Sequence, residues 1–220
     1  MGFISVEQAD HLYWLGRYTE RVYTTVRFYG QSFDAMIDET IDSYQKFCES
    51  IDIPNIYTSR EDFFRRYPFD NTNPDSIISN LNRAYDNAIV LREVIGSETL
   101  SYIQLAIYNM NKAAASSTPL LEMQYLIDNI LAFWGIADDQ IDSEPVRNVI
   151  KAGKRIERID MYARLGLSQK KLAREVHRMI PRVERCGLPY DKAKLELLNS
   201  LVESPELDYY RIVENVETIF

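Results

Sequence analysis

Apolar residues recur every three or four positions from the start of the chain. Leu12, Leu15, Thr19, Val22, Val26, Tyr29, Phe33 and Met36 form one stripe, and the rhythm runs on through Ile37, Ile41, Tyr44 and Phe47 to about Ile51. That period predicts a long helix with one apolar face. Ser5 followed by Gln8 makes a capping box, so the helix is expected to begin near Val6, and Gly30 is a candidate kink. Asp52 to Ser59 reads as a connection, Arg60 to Tyr67 as a short amphipathic piece, and Pro68 to Pro74 as a loop rich in turn residues.

The helical period returns from Asp75 to about Ala115, through Ile78, Leu81, Tyr85, Ala88, Ile95, Tyr102 and Ala106, with Gly96 as an interruption. Ser116 to Pro119 is expected to end that helix and open another, which runs to about Trp134 before a loop from Gly135 to Asp142. Ser143 and Pro145 open a further helix, closed by Gly166. Ser168 caps the next, which should stop before Pro181 or at Gly187. Two more short helices are expected, one from Pro189 to about Val202 and one after Pro205. Runs alternating at period two are missing, so the sequence predicts an all-α fold: an antiparallel multi-helix bundle with a weak internal repeat, in one domain over residues 1–220.

Composition agrees with helices. Of 220 residues 46% are hydrophobic and 26% charged, while only 8 are Gly and 8 Pro, few for a turn-rich β fold. Cys48 and Cys186 lack metal-ligand spacing and the N-terminus has no signal-peptide pattern, which points to a reducing, cytoplasmic setting. No apolar run approaches the ~20 residues of a membrane span. The net charge of −8 argues against general nucleic-acid binding. Charge is unevenly spread, however: Arg147 to Arg185 holds twelve Lys and Arg against four Asp and Glu. Such a block serves as a solvated helical face, a dock for an acidic partner or an anion site.

The repeat has a charged centre. Gly16-Arg17-Tyr18-Thr19-Glu20-Arg21 returns as Gly153-Lys154-Arg155-Ile156-Glu157-Arg158, and a degenerate copy places Arg83, Asp86 and Asn87 at the same spacing. Periodicity alone reads Arg17 and Glu20 as a surface pair worth a few tenths of a kcal/mol. Tyr13, Trp14 and Phe28 lie off the apolar stripe, so this helix is expected to be covered on more than one side. Arg92 falls in register with Leu81, Tyr85, Ala88 and Ile95, on what should be a core face, where it needs acceptors. Glu20 and Glu157 are the natural ones. Arg17, Glu20, Arg21, Asp86, Asn87, Arg92, Glu157 and Arg158 are therefore the candidate polar cluster, either structural or holding a carboxylate or phosphate. No metal site, cofactor motif, nucleophile elbow or Gly-rich phosphate loop is found. The tyrosine run Tyr13, Tyr18, Tyr23 and Tyr29 reads as a core edge or as the lining of a pocket.

Three ordered segments resemble the bacterial alpha-E family, all-helical proteins named for a Glu-Arg motif. They are Leu12 to Arg21, Asn73 to Ile78 followed by Asp86-Asn87, Arg92-Glu93 and Ser97-Glu98, and Trp134 to Asp139 through Glu157-Arg158. The likeness covers roughly residues 5–166 and implies a short member. The family's middle motif has Glu-Asn where this chain has Asp86-Asn87, and an aromatic near Leu100. By resemblance, the expected role is that of an accessory protein, not catalytic alone. It would act with an ATP-grasp ligase-like enzyme, and with a transglutaminase-like protein, in forming or processing peptide amide bonds. The alternative is an enzyme or substrate-binding subunit whose Arg and Glu cluster holds an anionic small molecule or peptide.

Overall fold

The structure is a computed structural model that describes residues 4–38 and 43–220, with side chains described outside 34–43. Eleven helices and no strand occur among the described residues: α1 (Val6–Asp38), α2 (Ser43–Ser50), α3 (Arg60–Arg66), α4 (Ile77–Val90), α5 (Arg92–Ile95), α6 (Ser97–Ala114), α7 (Pro119–Gln140), α8 (Glu144–Arg164), α9 (Gln169–Glu184), α10 (Lys192–Glu203) and α11 (Tyr209–Glu217). The all-α bundle expected from periodicity is the fold. Met36, Ile37 and Ile41 of the apolar rhythm lie outside the described side chains.

Contacts gather into two compact units, residues 1–20 with 141–220 (unit 1) and residues 21–140 (unit 2), and helix α1 runs through the boundary. In unit 1, α8 to α11 enclose an aliphatic core of Ile156, Ile159, Leu172, Val176, Met179, Val183, Leu198, Val202, Ile212 and Val216. In unit 2, α4, α6 and α7 bury Leu81, Ile103, Met110, Leu126, Ile130 and Phe133. Beside them is an aromatic cluster on α3. The Phe63 and Tyr67 rings stack at 5.1 Å, one helical turn apart, and Tyr29, Tyr44, Phe47 and Tyr57 surround Phe63.

Local chemistry explains most helix starts. Ser5 Oγ accepts from Gln8 N, as the capping box requires, and Ser59, Ser76, Asp191 and Asp208 cap α3, α4, α10 and α11 in the same way. Two expected boundaries move, and of the two ends offered for α9 the later one, at Gly187, holds. Gly135 stays inside α7, which continues to Gln140 because Ala137 still has a core face to bury. Pro181 lies within α9, where burial of Val176, Met179 and Val183 on either side outweighs the backbone bond that proline cannot make. The stretch from Asp75 to Ala115 breaks twice. Leu91 leaves helical geometry at φ −88° and ψ 5°, and Gly96 turns the chain at φ +81°. These breaks reset the helical phase around Arg92.

Candidate functional site

The two copies of the repeat meet inside unit 1. An added Cβ on Gly16 would stand 2.2 Å from Ile150 O and 3.0 Å from Lys154 N, and one on Gly153 would stand 2.3 Å from Tyr13 O and 3.4 Å from Arg17 N. Exchanging Tyr13, Gly16 and Arg17 for Ile150, Gly153 and Lys154 maps one set of contacts onto the other. The crossing of α1 and α8 is thus internally two-fold, and glycine stands where any side chain would strike backbone. Contacts advance in the same sense along both helices, from Tyr13 and Gly153 to Glu20 and Arg158.

This close approach presses charged side chains together one turn on. Arg17 Nε donates to Glu157 Oε2 at 2.7 Å. Arg158 returns the exchange as a fork on Glu20, Nε to Oε1 at 2.5 Å and Nη2 to Oε2 at 2.9 Å. Glu20 and Glu157 are both 0% exposed, and Arg17 only 6%. The surface pair that periodicity suggests does not describe these residues: each is bonded across to the other helix. Arg17 also lies over the rings of Tyr13 and Trp14, at 5.7 and 5.2 Å, which shields its second face.

A further carboxylate extends the cluster. Glu175 on α9 is fully buried, accepts from Arg155 Nη1, lies 3.8 Å from Arg158 Nη1, and takes Arg174 Nε at 3.2 Å and Arg178 Nη1 at 3.4 Å. Asp160, one turn beyond Glu157, accepts from Arg164 Nε at 2.8 Å. Burial opposes the charge on Arg17 and Arg158, but Glu157 and Glu20 overcome it and hold both guanidinium pKa values above the ordinary range. Lys154 is pushed down to about 7, by burial first and then by the charges of Arg158, Arg155 and Lys151 against the pull of Glu20. Asp160 is pushed up to about 6, by burial and by the neighbouring charge of Glu157.

Of the eight candidate residues, Arg17, Glu20, Glu157 and Arg158 converge in unit 1. Arg21, Asp86, Asn87 and Arg92 belong to unit 2. Asp86 is exposed, Asn87 Nδ2 donates to Arg83 O at 2.8 Å, and Arg21 is half-buried with its charge acting on the Tyr67 phenol. The placement of Arg92 on a core face is corrected: its side chain is exposed and Nε donates to Ser97 Oγ at 3.0 Å, because the break at Leu91 rotates it off the face that an unbroken helix would give it. Glu20 and Glu157 take Arg158 and Arg17 instead. Sequence reasoning missed Lys154, Arg155, Asp160, Arg164 and Glu175. Glu175 did carry a signal, being an acid between the apolar positions Leu172, Val176 and Met179 in a helix whose only other acid is its last residue, Glu184.

Other chemistry is sparse. Among the described residues no group of three His, Cys, Asp or Glu is placed to hold a metal ion. Burial pushes the Cys48 thiol up to about 11, and Cys186 is raised as well, so neither is a ready thiolate. No described helix is long and apolar enough to cross a membrane.

Fold and cluster together define a class: an all-α protein whose two Glu-Arg helices cross at glycines and exchange ion pairs. The family model of Alpha-E, described as a predicted alpha-helical domain with a conserved ER motif, matches residues 7–206, and the chain belongs to that family. Because the match runs well past residue 166, the expectation of a short member is corrected. No curated protein and no solved structure matches the chain.

Proposed function

We propose that this protein is a non-catalytic helical partner of an ATP-grasp ligase-like enzyme, with a transglutaminase-like protein in the same system, working in the formation or processing of peptide amide bonds. The observation that carries the non-catalytic half is the closed pairing of the cluster. Glu20, Glu157 and Glu175 are each fully buried and each holds at least one guanidinium, which leaves them poor general bases and good fasteners. The enzyme partner comes from the family resemblance.

Its dock, in this reading, is the outer face of α9. Lys171, Arg174, Arg178, Arg182 and Arg185 fall within an arc of roughly 80° at helical spacing, and all but the half-buried Arg182 are exposed. That face suits an acidic segment of the partner. The test is to tag the protein in its native host and identify the proteins that co-purify with it. An ATP-grasp-type protein is expected, and Lys171→Glu with Arg185→Glu should weaken its capture by at least about tenfold. Recovery of no ATP-grasp-type protein overturns the partnership, and full capture by the charge-reversed protein overturns the dock.

A second reading, a carboxylate or phosphate ligand held by the cluster, rests on Lys154. A bound anion would restore the charge that burial weakens there. It predicts that the Lys154 titration moves upward when such a ligand is present.

A further inference from the structure

Unit 2 contains a cleft that the cluster does not touch. Between α1 and α7 lies an opening of about 590 Å³, lined by Val26, Leu120, Met123 and Ile127 on its apolar side and by Tyr23, Arg27, Gln31 and Gln124 on its polar side. That volume lies within the usual range of small-molecule sites, about 300–1,000 Å³. Among the described residues the lining holds one cation, Arg27, and no carboxylate; the acid Asp128 stands behind it, its Oδ1 accepting from Gln124 Nε2 at 3.0 Å. Arg27 is exposed, held over the Tyr23 ring at 5.5 Å with Nη1 donating to Tyr23 Oη at 3.0 Å, which fixes the guanidinium and leaves its other donors for a ligand.

Gly30 completes the wall of this cleft. Glycine inside a helix costs about 1 kcal/mol relative to alanine. At Gly16 and Gly153 backbone contact explains that cost. At Gly30 an added Cβ would meet nothing within 4 Å among the described residues, so their packing does not demand glycine there. Gly135 is equally open but lines no part of this cleft, so openness alone does not mark a site. What distinguishes Gly30 is that any larger side chain would project into space beside Arg27.

We infer that this cleft binds an apolar carboxylate: a compact aliphatic group against Val26, Met123 and Ile127, with its single negative charge on Arg27 and an amide hydrogen bond from Gln31, while Gln124 keeps its amide on Asp128. One guanidinium matches a monoanion better than a dianionic phosphate, which would call for more than one cation. A free aliphatic acid and the C-terminus of a peptide ending in an apolar residue share this chemistry. The inference stands apart from the partner proposal, since it uses no residue of α9 or of the cluster.

The test uses protein labelled at methionine methyls, with Met123 in the cleft and Met110, buried elsewhere in unit 2, as reference. The probes are 4-methylpentanoate, the peptide acetyl-Ala-Ala-Leu with a free carboxylate, and the same peptide as its C-terminal amide. A saturable shift of Met123, not Met110, is expected with one or both acids, and the amide should bind at least about tenfold more weakly. Saturation by 4-methylpentanoate alone identifies the free acid as the source, and saturation by the peptide acid identifies a C-terminus. Arg27→Gln should weaken binding at least about tenfold and Gly30→Leu abolish it, while Gly30→Ala keeps affinity within about twofold, separating occupancy from helix propensity. Equal binding of acid and amide, retention of binding in Gly30→Leu, or no shift with any probe to about 10 mM overturns the inference.

Discussion

The first twenty residues and the last eighty close around carboxylates, whereas residues 21–140 close around rings. In unit 1, two helices approach until backbone meets glycine, and Glu20, Glu157 and Glu175 are sealed beneath arginines. In unit 2, Phe63 and Tyr67 stack on α3 and receive Tyr29, Tyr44, Phe47 and Tyr57 edge-on or tilted. Ring packing is tolerant, because an aromatic neighbour has several favourable angles. A crossing that buries ion pairs is not, since each charge needs its partner at hydrogen-bond distance. Unit 1 should therefore respond to small changes at few positions, and unit 2 more gradually. The two tryptophans allow each to be followed, Trp14 in unit 1 and Trp134 in unit 2, through urea unfolding of Trp134→Phe and Trp14→Phe backgrounds.

The largest expected effect is Gly153→Val. Its Cβ would stand 2.3 Å from Tyr13 O, and no side-chain rotation relieves a clash with backbone. The crossing must open, at a cost of more than about 3 kcal/mol. Loss of the Trp14 transition with Trp134 intact would establish unit 1 as separately cooperative. Simultaneous loss would make the two units one folding system, and an unchanged Trp14 midpoint would contradict the glycine crossing.

Next comes a contrast between the units. Glu20→Met strands Arg158 among buried groups and should cost roughly 3–5 kcal/mol, while Glu20→Met with Arg158→Met should recover most of that, because a matched apolar pair leaves fewer unpaired buried charges. In unit 2, Phe63→Ala should cost a similar ~3–5 kcal/mol, but no second substitution that merely removes a partner should rescue it, because the loss is volume. A double variant at Glu20 and Arg158 no more stable than the single one would mean that the other arginines around Glu175 already redistribute over the gap.

How far these features could be read in advance depends on the same difference. The stripe from Leu12 to Tyr29, the cap at Ser5 and a helix start near Asp75 are local, so they were legible to within a few residues, the observed cap being Ser76. The Glu-Arg repeat was legible because both copies sit on unbroken helix, which fixes the faces of Arg17, Glu20, Glu157 and Arg158 relative to Gly16 and Gly153. Arg92 was misplaced because two breaks, at Leu91 and Gly96, fall inside a pattern whose apolar spacing hardly registers them. The place of Glu175 and Arg155 in the cluster was not legible because the ion pair that joins them runs from α9 to α8, and periodicity within one helix carries no record of what packs against it. The cleft at Gly30 has the same character: the sequence suggested a kink, and only the placement of α7 shows what the open side faces.

The smallest expected effect concerns pH, and it separates the units most finely. Lys154 titrates near 7 in the folded chain against an ordinary lysine value of 10.5, so between those values the unfolded chain carries a proton that the folded chain has shed. Stability from this group therefore rises with pH above about 7, with a slope of at most about 1.4 kcal/mol per pH unit. Asp160 acts in the opposite sense. Its folded value near 6, against an ordinary 3.8, means that the folded chain holds a proton the unfolded chain has lost, so stability falls as pH rises from about 4 to 6. Together they give the Trp14 transition a trough between about pH 6 and 7. Lys154→Met should remove the rise on the alkaline side and leave the acid side in place, because Asp160 keeps its burial and its neighbour Glu157. In unit 2, Glu61, Asp62 and Asp70 are shifted downward by backbone and hydroxyl hydrogen bonds, and they lose their contribution only as pH falls through the acid range. The Trp134 transition should accordingly be flat where the Trp14 transition has its trough. A trough of equal depth at both tryptophans would show that the buried charges of unit 1 set the stability of the whole chain.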